Sequence, residues 1–396
     1  MDHAPNRRRF LGASAGLVAA LAGCAGGDGT TTDAGDGGAA STAATGTDTA
    51  TDTSTETEAS ETDAASGSYT VSMEPVGDVT FESVPEVWVA NNGSWGDMGV
   101  ALGRDQPLGV WLPSRWHTQY YDDIPDVSVD QEALQQLWGD SGVDKERFYE
   151  MDADVHVMDP NFLMNRGSWE QSDIDEIVEN VGPFYGNSIF STGYAWHEDY
   201  QYYTLYEAFE KVAEMFQETE RYEAFSALHD EFLTRVSDVV PDEGARPGVA
   251  VMWASGDEPE TFSPYLVGDG TSFKQWRDLQ VDDALANTDV RDFHANRGEV
   301  DYETLLEIDP DVLLLRGHEA QTAEEFDDTV VEFMRNHEVA SSLTAVEEGD
   351  VYRGGPLYQG PISNLVLTER GASQLYGVEE ELFDRQRVAD IVTGEF

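Results

Sequence analysis

The chain has 396 residues, with 22 lysines and arginines against 78 aspartates and glutamates, a formal net charge of −56. Such a surface repels phosphate backbones, which excludes nucleic-acid binding. In dilute buffer the self-repulsion would strain a compact state, but in molar salt the Debye length falls to about 3 Å, so the acidity points to a halophilic protein.

Residues 7–11 read Arg-Arg-Arg-Phe-Leu, and the apolar run GASAGLVAALA that follows is too short to span a bilayer as a permanent helix. It closes at Leu21-Ala22-Gly23-Cys24. A cationic end, a short apolar segment and small residues before a cleavage point predict an export signal over 1–23. Arg-Arg-x-Phe-Leu resembles the signal read by the twin-arginine translocase, and Leu-Ala-Gly-Cys resembles a lipobox, which implies lipidation of Cys24. That is the only cysteine, so no disulfide framework is possible. The next stretch, to about Gly67, holds Thr, Ala, Gly, Ser, Asp and Glu with no aromatic residue and no cation. It cannot bury enough area to offset chain entropy, so 24–67 is expected to be a disordered tether. Together these segments predict an exported, lipid-anchored protein at the outer face of the cytoplasmic membrane.

The remaining stretch of about 330 residues exceeds the usual size of one core. Short apolar runs bounded by turn residues predict strands at 84–90, 107–112, 153–158, 247–253 and 310–315, and helical patterns such as 95–103 lie between them. That alternation predicts parallel sheets covered on both faces, an α/β fold. Residues 203–240 depart from it. Leu205, Phe209, Val212 and Phe216 form one helical stripe, which Tyr222, Phe225, Phe232 and Val236 continue after a break near Gln217–Glu220. The expected organisation is an N-terminal α/β lobe over 68–200, a connecting helix over 201–241 and a C-terminal α/β lobe over 242–396.

The chain also repeats itself. VDKERFYEMDADVHVM (143–158) and VDYETLLEIDPDVLLL (300–315) share Val, Asp, Glu, Glu, Asp, Asp and Val at identical steps, 157 positions apart. Each copy predicts a short helix with a glutamate in its first turn (Glu146, Glu303), a turn and a strand. Asp154 and Asp311 occupy a turn that favours a side chain able to bond its own backbone, and Pro310 ends the second helix.

Glu-x-Leu-Leu-x-x-x-Pro-Asp-Val at 303–312 resembles the periplasmic-binding family that delivers ferric siderophores, cobalamin and haem to ABC importers. The first copy is similar, with Ala153 in place of the proline. SSLTAVEEGDVYRGG (341–355) and PEVWVANNGSWGDMGVALG (85–103) resemble further stretches of that family. The resemblance implies two doubly wound parallel-sheet lobes connected by a single long helix, with the ligand in the cleft between them. It implies a binder without catalysis, expected to be a monomer, whose partner is an ABC permease dimer with its ATPase. By motif position Glu146 and Glu303 would pair with arginines of the two permease subunits, and charge-assisted bidentate pairs would supply orientation as well as energy.

Ligands of open α/β sheets bind beyond the carboxyl ends of the strands. Reading past each predicted strand gives Asn92 and Trp95, then Arg115 and Trp116, then Phe162, Arg166 and Trp169, then Trp253 and Tyr265, then Arg316 and His318, and finally Tyr358. Aromatic faces and guanidinium forks suit a bulky, planar or anionic ligand. The eight histidines show no HxH or HxxxH spacing and the chain has no other thiolate, so a direct transition-metal site is not expected and iron would arrive already chelated. His318 alone could reach a metal or a corrin ring. No cofactor is expected. The cargo read from the resemblance is a small-molecule metal chelate, a ferric siderophore first and cobalamin or haem second. The competing class is a secreted hydrolase working with paired carboxylates, which no G-x-S-x-G, H-E-x-x-H or phosphate-loop pattern in the folded part assists.

Overall fold

The apolar runs become the strands of two sheets. The computed structural model describes residues 67–139, 142–194 and 196–396; the export signal, Cys24 and the tether through residue 66 lie outside the described residues. The described chain opens with a hairpin, β1 (Tyr69–Met73) and β2 (Gly77–Phe81), paired antiparallel with Tyr69 opposite Phe81. Val71, Met73, Val79 and Phe81 alternate inward, as the two-residue strand period requires.

The first sheet is parallel. β3 (Trp88–Ala90) leads into α1 (Gly93–Ala101), and β4 (Gly109–Val110), β5 (Gln135–Gln136) and the small hairpin β6 (Trp138–Gly139) and β7 (Gly142–Val143) follow. Then come α2 (Lys145–Met151), β8 (Val155–Val157), α3 (Pro160–Arg166) and α4 (Gln171–Asn180). β8 pairs with β3 and β5 with β4. Backbone bonds from Leu108 to Trp88 and from Trp111 to Asn91 stitch β4 to β3 at 2.8 and 2.9 Å. Val89, Ala90, Val155 and Val157 are fully buried, as expected where helices cover both faces.

Residues 201–241, read as one connecting helix, form two: α5 (Leu205–Phe216) and α6 (Thr219–Val239). Gln217 takes the left-handed conformation (φ 55°) that stops α5, at the break the apolar stripe indicates. The 21-residue α6 is the long helix of the connection. After it come β9 (Gly248–Trp253), β10 (Ser263–Tyr265), α7 (Lys274–Asp278), β11 (Asp282–Asp283), α8 (Phe293–Asn296), α9 (Tyr302–Ile308) and β12 (Val312–Arg316). α10 (Ala323–Phe326) and α11 (Glu332–Asn336) flank a wider helical turn, and α12 (Thr344–Glu348), β13 (Val351–Arg353), α13 (Pro361–Tyr376) and α14 (Arg385–Thr393) complete the chain. The second sheet runs β10-β9-β12-β13, with β11 also on β9; only β10 is antiparallel.

α13 returns to pack on α1 of the first lobe as well as on α6 and α7. The contact is polar at one point. Asp97 of α1 is buried and accepts hydrogen bonds from the backbone N–H groups of Ile362 and Ser363 at the start of α13. Burial pushes its carboxyl up to about 6.

The repeated sequence is a repeated structure, with one correction. Asp144 and Asp301 cap α2 and α9 through backbone N–H groups, and Asp152 and Asp309 close them at φ 46° and 47°. Asp154 and Asp311 do not bond their own turn. Asp154 accepts from Glu86 N and Val87 N, both at 2.9 Å, and Asp311 from Gly248 N at 2.7 Å. Each ties its unit to the beginning of the neighbouring strand.

The glycines of α1 decide where Trp116 goes. A Cβ on Gly93 or Gly96 would lie 2.7 or 2.5 Å from the Trp116 ring, so the indole fills the flat face these residues leave. Gly96→Ala should cost about 1–3 kcal/mol by overpacking, read as a lower urea midpoint at fixed salt. An unchanged midpoint would mean the ring has room to retreat.

Candidate functional site

A cavity of about 350 Å³ opens between the two sheets. On the first lobe its wall is Trp111, one residue beyond β4; Arg115, in a single helical turn over Pro113–Arg115; and Phe162 and Arg166 of α3. Phe162 and Arg166 are four residues apart and therefore share a face. Phe190 and Tyr194, from the irregular stretch after α4, close one side. The second lobe supplies Trp253 at the end of β9, Ser255, Ser263 and Tyr265 of β10, Phe293 and His294 of α8, Arg297, Leu357 and Tyr358.

The rings form a continuous wall. Trp111 meets Phe162 edge-on at 4.7 Å between centroids, and Phe190 meets Tyr358 across the lobes at 5.2 Å. His294 stands between Tyr194 and Tyr265 at 5.4 and 5.2 Å. The Arg115 guanidinium lies over Trp253 at 5.4 Å and that of Arg297 over Phe293 at 4.8 Å, stacking that fixes a cation without neutralising it. Burial raises the Tyr358 hydroxyl, and Arg115 pulls it part of the way back; Tyr265 is raised by burial and pulled back by Arg316.

Charge is the distinctive feature. No aspartate or glutamate is among the lining residues, although the chain carries 78 of them. Arg115, Arg166 and Arg297 have no carboxylate partner among the described residues. Three guanidinium groups from both lobes thus face one cavity unpaired. This arrangement can bind an anion with aromatic or apolar surface. Among the described residues no three His, Cys, Asp or Glu side chains cluster as metal ligands.

Of the twelve candidates read from the sequence, Arg115, Phe162, Arg166, Trp253, Tyr265 and Tyr358 line this cavity. The other six do not. Asn92 caps α1 by accepting from Ser94 N at 2.9 Å. Trp95 is wholly in the core, and Trp116 lies on the glycine face. Trp169 donates to Val143 O at 2.8 Å and packs on Phe148. His318 is buried beside Phe326. Arg316 is fully buried under Tyr265 and Phe273, and burial lowers it to about 10, so it stays charged at neutral pH beneath the cavity floor. Sequence reasoning missed Trp111, Phe190, Tyr194, Phe293, His294 and Arg297. Trp111 lay inside the predicted strand 107–112; Phe190, Tyr194 and Arg297 sit on irregular segments, and Phe293 and His294 on the four-residue α8, with no strand to announce them.

Behind the cavity the lobes meet at Glu319. Its carboxylate accepts from both Arg370 Nη groups at 2.9 and 3.0 Å, from the Tyr120 hydroxyl, and from Gly355 N at 2.8 Å. Gln119 of the first lobe donates to its carbonyl at 2.8 Å. Glu146 and Glu303 are both exposed, each one residue past the first of its helix.

Two α/β lobes with an aromatic and cationic cleft at their strand ends make a bilobed fold whose cleft has room for a small molecule. Residues 187–357 match the family model described as periplasmic binding protein. Solved structures share the fold at low identity. A periplasmic binding protein from Veillonella parvula is 16% identical with a TM-score of 0.55, covering 79% of this chain and 99% of that one. The petrobactin-binding protein YclQ of Bacillus subtilis is also 16% identical, with a TM-score of 0.54 and coverage of 79% and 99%. The siderophore-binding protein FhuD of Vibrio cholerae, solved with Fe3+-Desferal, is 15% identical, with a TM-score of 0.51 and coverage of 76% and 99%. No curated protein matches the chain.

Proposed function

We propose that the protein is the lipid-anchored solute-binding component of an ABC importer, and that its cargo is an anionic metal chelate, a ferric siderophore. The observation that carries this reading is the set of three unpaired arginines facing a cavity free of carboxylates, in a chain of net charge −56. Arg166 and Arg297 are exposed and Arg115 is half-buried, so their guanidinium forks remain available to an anionic guest, which gains charge-assisted hydrogen bonds from them. Trp111, Phe162, Trp253 and Tyr358 supply faces for its apolar and aromatic parts. Haem and cobalamin are the competing cargoes. A glycoside hydrolase needs two carboxylates flanking the bond it breaks, and the cavity lining offers none.

Two tryptophans line the cavity, so a titration of intrinsic fluorescence with ferric catecholate, carboxylate and hydroxamate chelates, haem and cobalamin tests the reading directly. Tightest binding by an anionic ferric chelate supports it; nothing tighter than about millimolar, roughly 4 kcal/mol, overturns it. Native mass spectrometry of protein from its own host identifies a co-purified cargo.

Export, anchoring through Cys24 and a tether reaching to the folded part complete the proposal. No helix among the described residues is long and apolar enough to cross a membrane. Glu146 and Glu303 are proposed to dock on arginines of the two permease subunits. Glu146→Gln with Glu303→Gln should lower uptake into proteoliposomes about tenfold or more while leaving cargo affinity unchanged. Unchanged uptake would remove the docking assignment.

A further inference from the structure

The repeated helices share more than a glutamate. Along α2, Glu146, Tyr149 and Glu150 stand at steps i, i+3 and i+4, and along α9 so do Glu303, Leu306 and Glu307; each trio therefore occupies one helical face. All six side chains are exposed, and the trios correspond residue for residue. Tyr149 and Leu306, 41% and 38% exposed, belong to a short set of large apolar side chains exposed among the described residues. One exposed leucine needs no explanation; exposed apolar groups at the same step of both copies do.

The surrounding polar groups are committed elsewhere. Asp144 and Asp301 serve as caps, Lys145 bonds Asp173 and Glu176, and Arg147 donates to Gln136 O. The Tyr149 hydroxyl donates to Glu176 at 2.9 Å, which steadies the ring and leaves its face open. Beside α9 the surface dips into a recess of about 620 Å³ bordered by Thr304, Glu307 and Ile308.

We propose that Tyr149 and Leu306 are the apolar anchors of a duplicated docking surface, each flanked by two carboxylates, that seats on a two-fold symmetric partner presenting twice an apolar notch rimmed by arginine or lysine. The inference rests on the docking reading above and adds the component that charge alone lacks. Each trio carries two carboxylates and no cation, and the one arginine bordering the α9 recess, Arg291, donates to the backbone carbonyls of Thr288 and Val290, so the complementary rim is cationic. A motif written once per lobe meets its match twice only on a dimer. In concentrated salt the Coulomb attraction is screened within a few ångströms, about 3 Å at molar strength, whereas apolar contact is not weakened and with excluded salts is strengthened. The anchors therefore hold the contact where the glutamates lose their grip, and the glutamates fix its orientation.

The test measures binding of the full chain to its permease–ATPase complex in nanodiscs, at low and at molar salt. Tyr149→Ser with Leu306→Ser should weaken binding about tenfold or more at molar salt and leave the salt dependence of the affinity as it was. Glu146→Gln with Glu303→Gln should weaken binding at low salt and flatten that dependence. Tyr149→Phe with Leu306→Met, which keeps the apolar surface, should bind as the parent does. Serine variants within about twofold of the parent at both salts, beside weakened glutamine variants, overturn the inference and leave the docking reading standing. Full affinity in both pairs of variants removes the docking reading and the inference with it. Cargo titration of every variant should match the parent, which excludes loss of fold as the cause.

Discussion

Arg370→Met should lower the unfolding free energy by about 3–5 kcal/mol, measured by denaturant titration at fixed salt. Its partner Glu319 has a side chain 1% exposed, while Arg370 itself is 21% exposed, so losing the guanidinium strands a charge with little access to water. Adding Glu319→Gln to Arg370→Met should recover much of the loss, because no unpaired charge then remains. The pH dependence has a definite sign. Burial works to raise the Glu319 carboxyl, but Arg370 first, then Tyr120 and Arg353, bring it from 4.5 to about 2. A carboxyl depressed by folding stabilises the folded form fully above its unfolded pKa. That contribution is lost as pH falls from about 4.5 through about 2, a slice of roughly 3 kcal/mol. Wild type and the double variant should therefore converge in acid. A gap that persists unchanged at the acid end would show that the pair is not what titrates.

Arg115→Ala, Arg166→Ala and Arg297→Ala should each weaken an anionic ferric chelate by about 30-fold or more, the cost of about 2 kcal/mol for removing one partner of a desolvated charged contact. Lysine at the same positions should recover part of that loss, since it restores charge without the planar fork. Arg115→Lys and Arg297→Lys should recover less than Arg166→Lys, because their guanidinium groups also cover Trp253 and Phe293. Affinities measured by fluorescence titration that stay within about twofold of the parent would mean that the anion is held by backbone or hydroxyl groups.

The fold was legible because its signals are local. Apolar runs such as 247–253 and 310–315 become central strands buried on both faces, and the repeated segment marks the same helix–turn–strand unit in each lobe. The candidate site was legible where a side chain lies at or within a few residues of a strand end, as with Trp253, Arg115 and Tyr358. It was misread where packing overruled proximity. Trp116 is one residue from Arg115, yet it turns inward because Gly93 and Gly96 leave a flat surface for it. Arg316 ends a strand but lies beneath the cavity instead of in it. Arg297 has no strand to announce it; it is itself the left-handed residue that ends a four-residue helix, and no periodic pattern encodes such a turn.

The return of α13 across both lobes leaves the molecule riveted along its back by two helices, α6 and α13, which also pack on each other. A body braced this way behaves as a caliper of nearly constant span, so empty and filled forms would present their two acidic feet at the same spacing. Under the docking reading both would compete for one berth on the importer, and preference for the filled form would then have to come from what happens after landing.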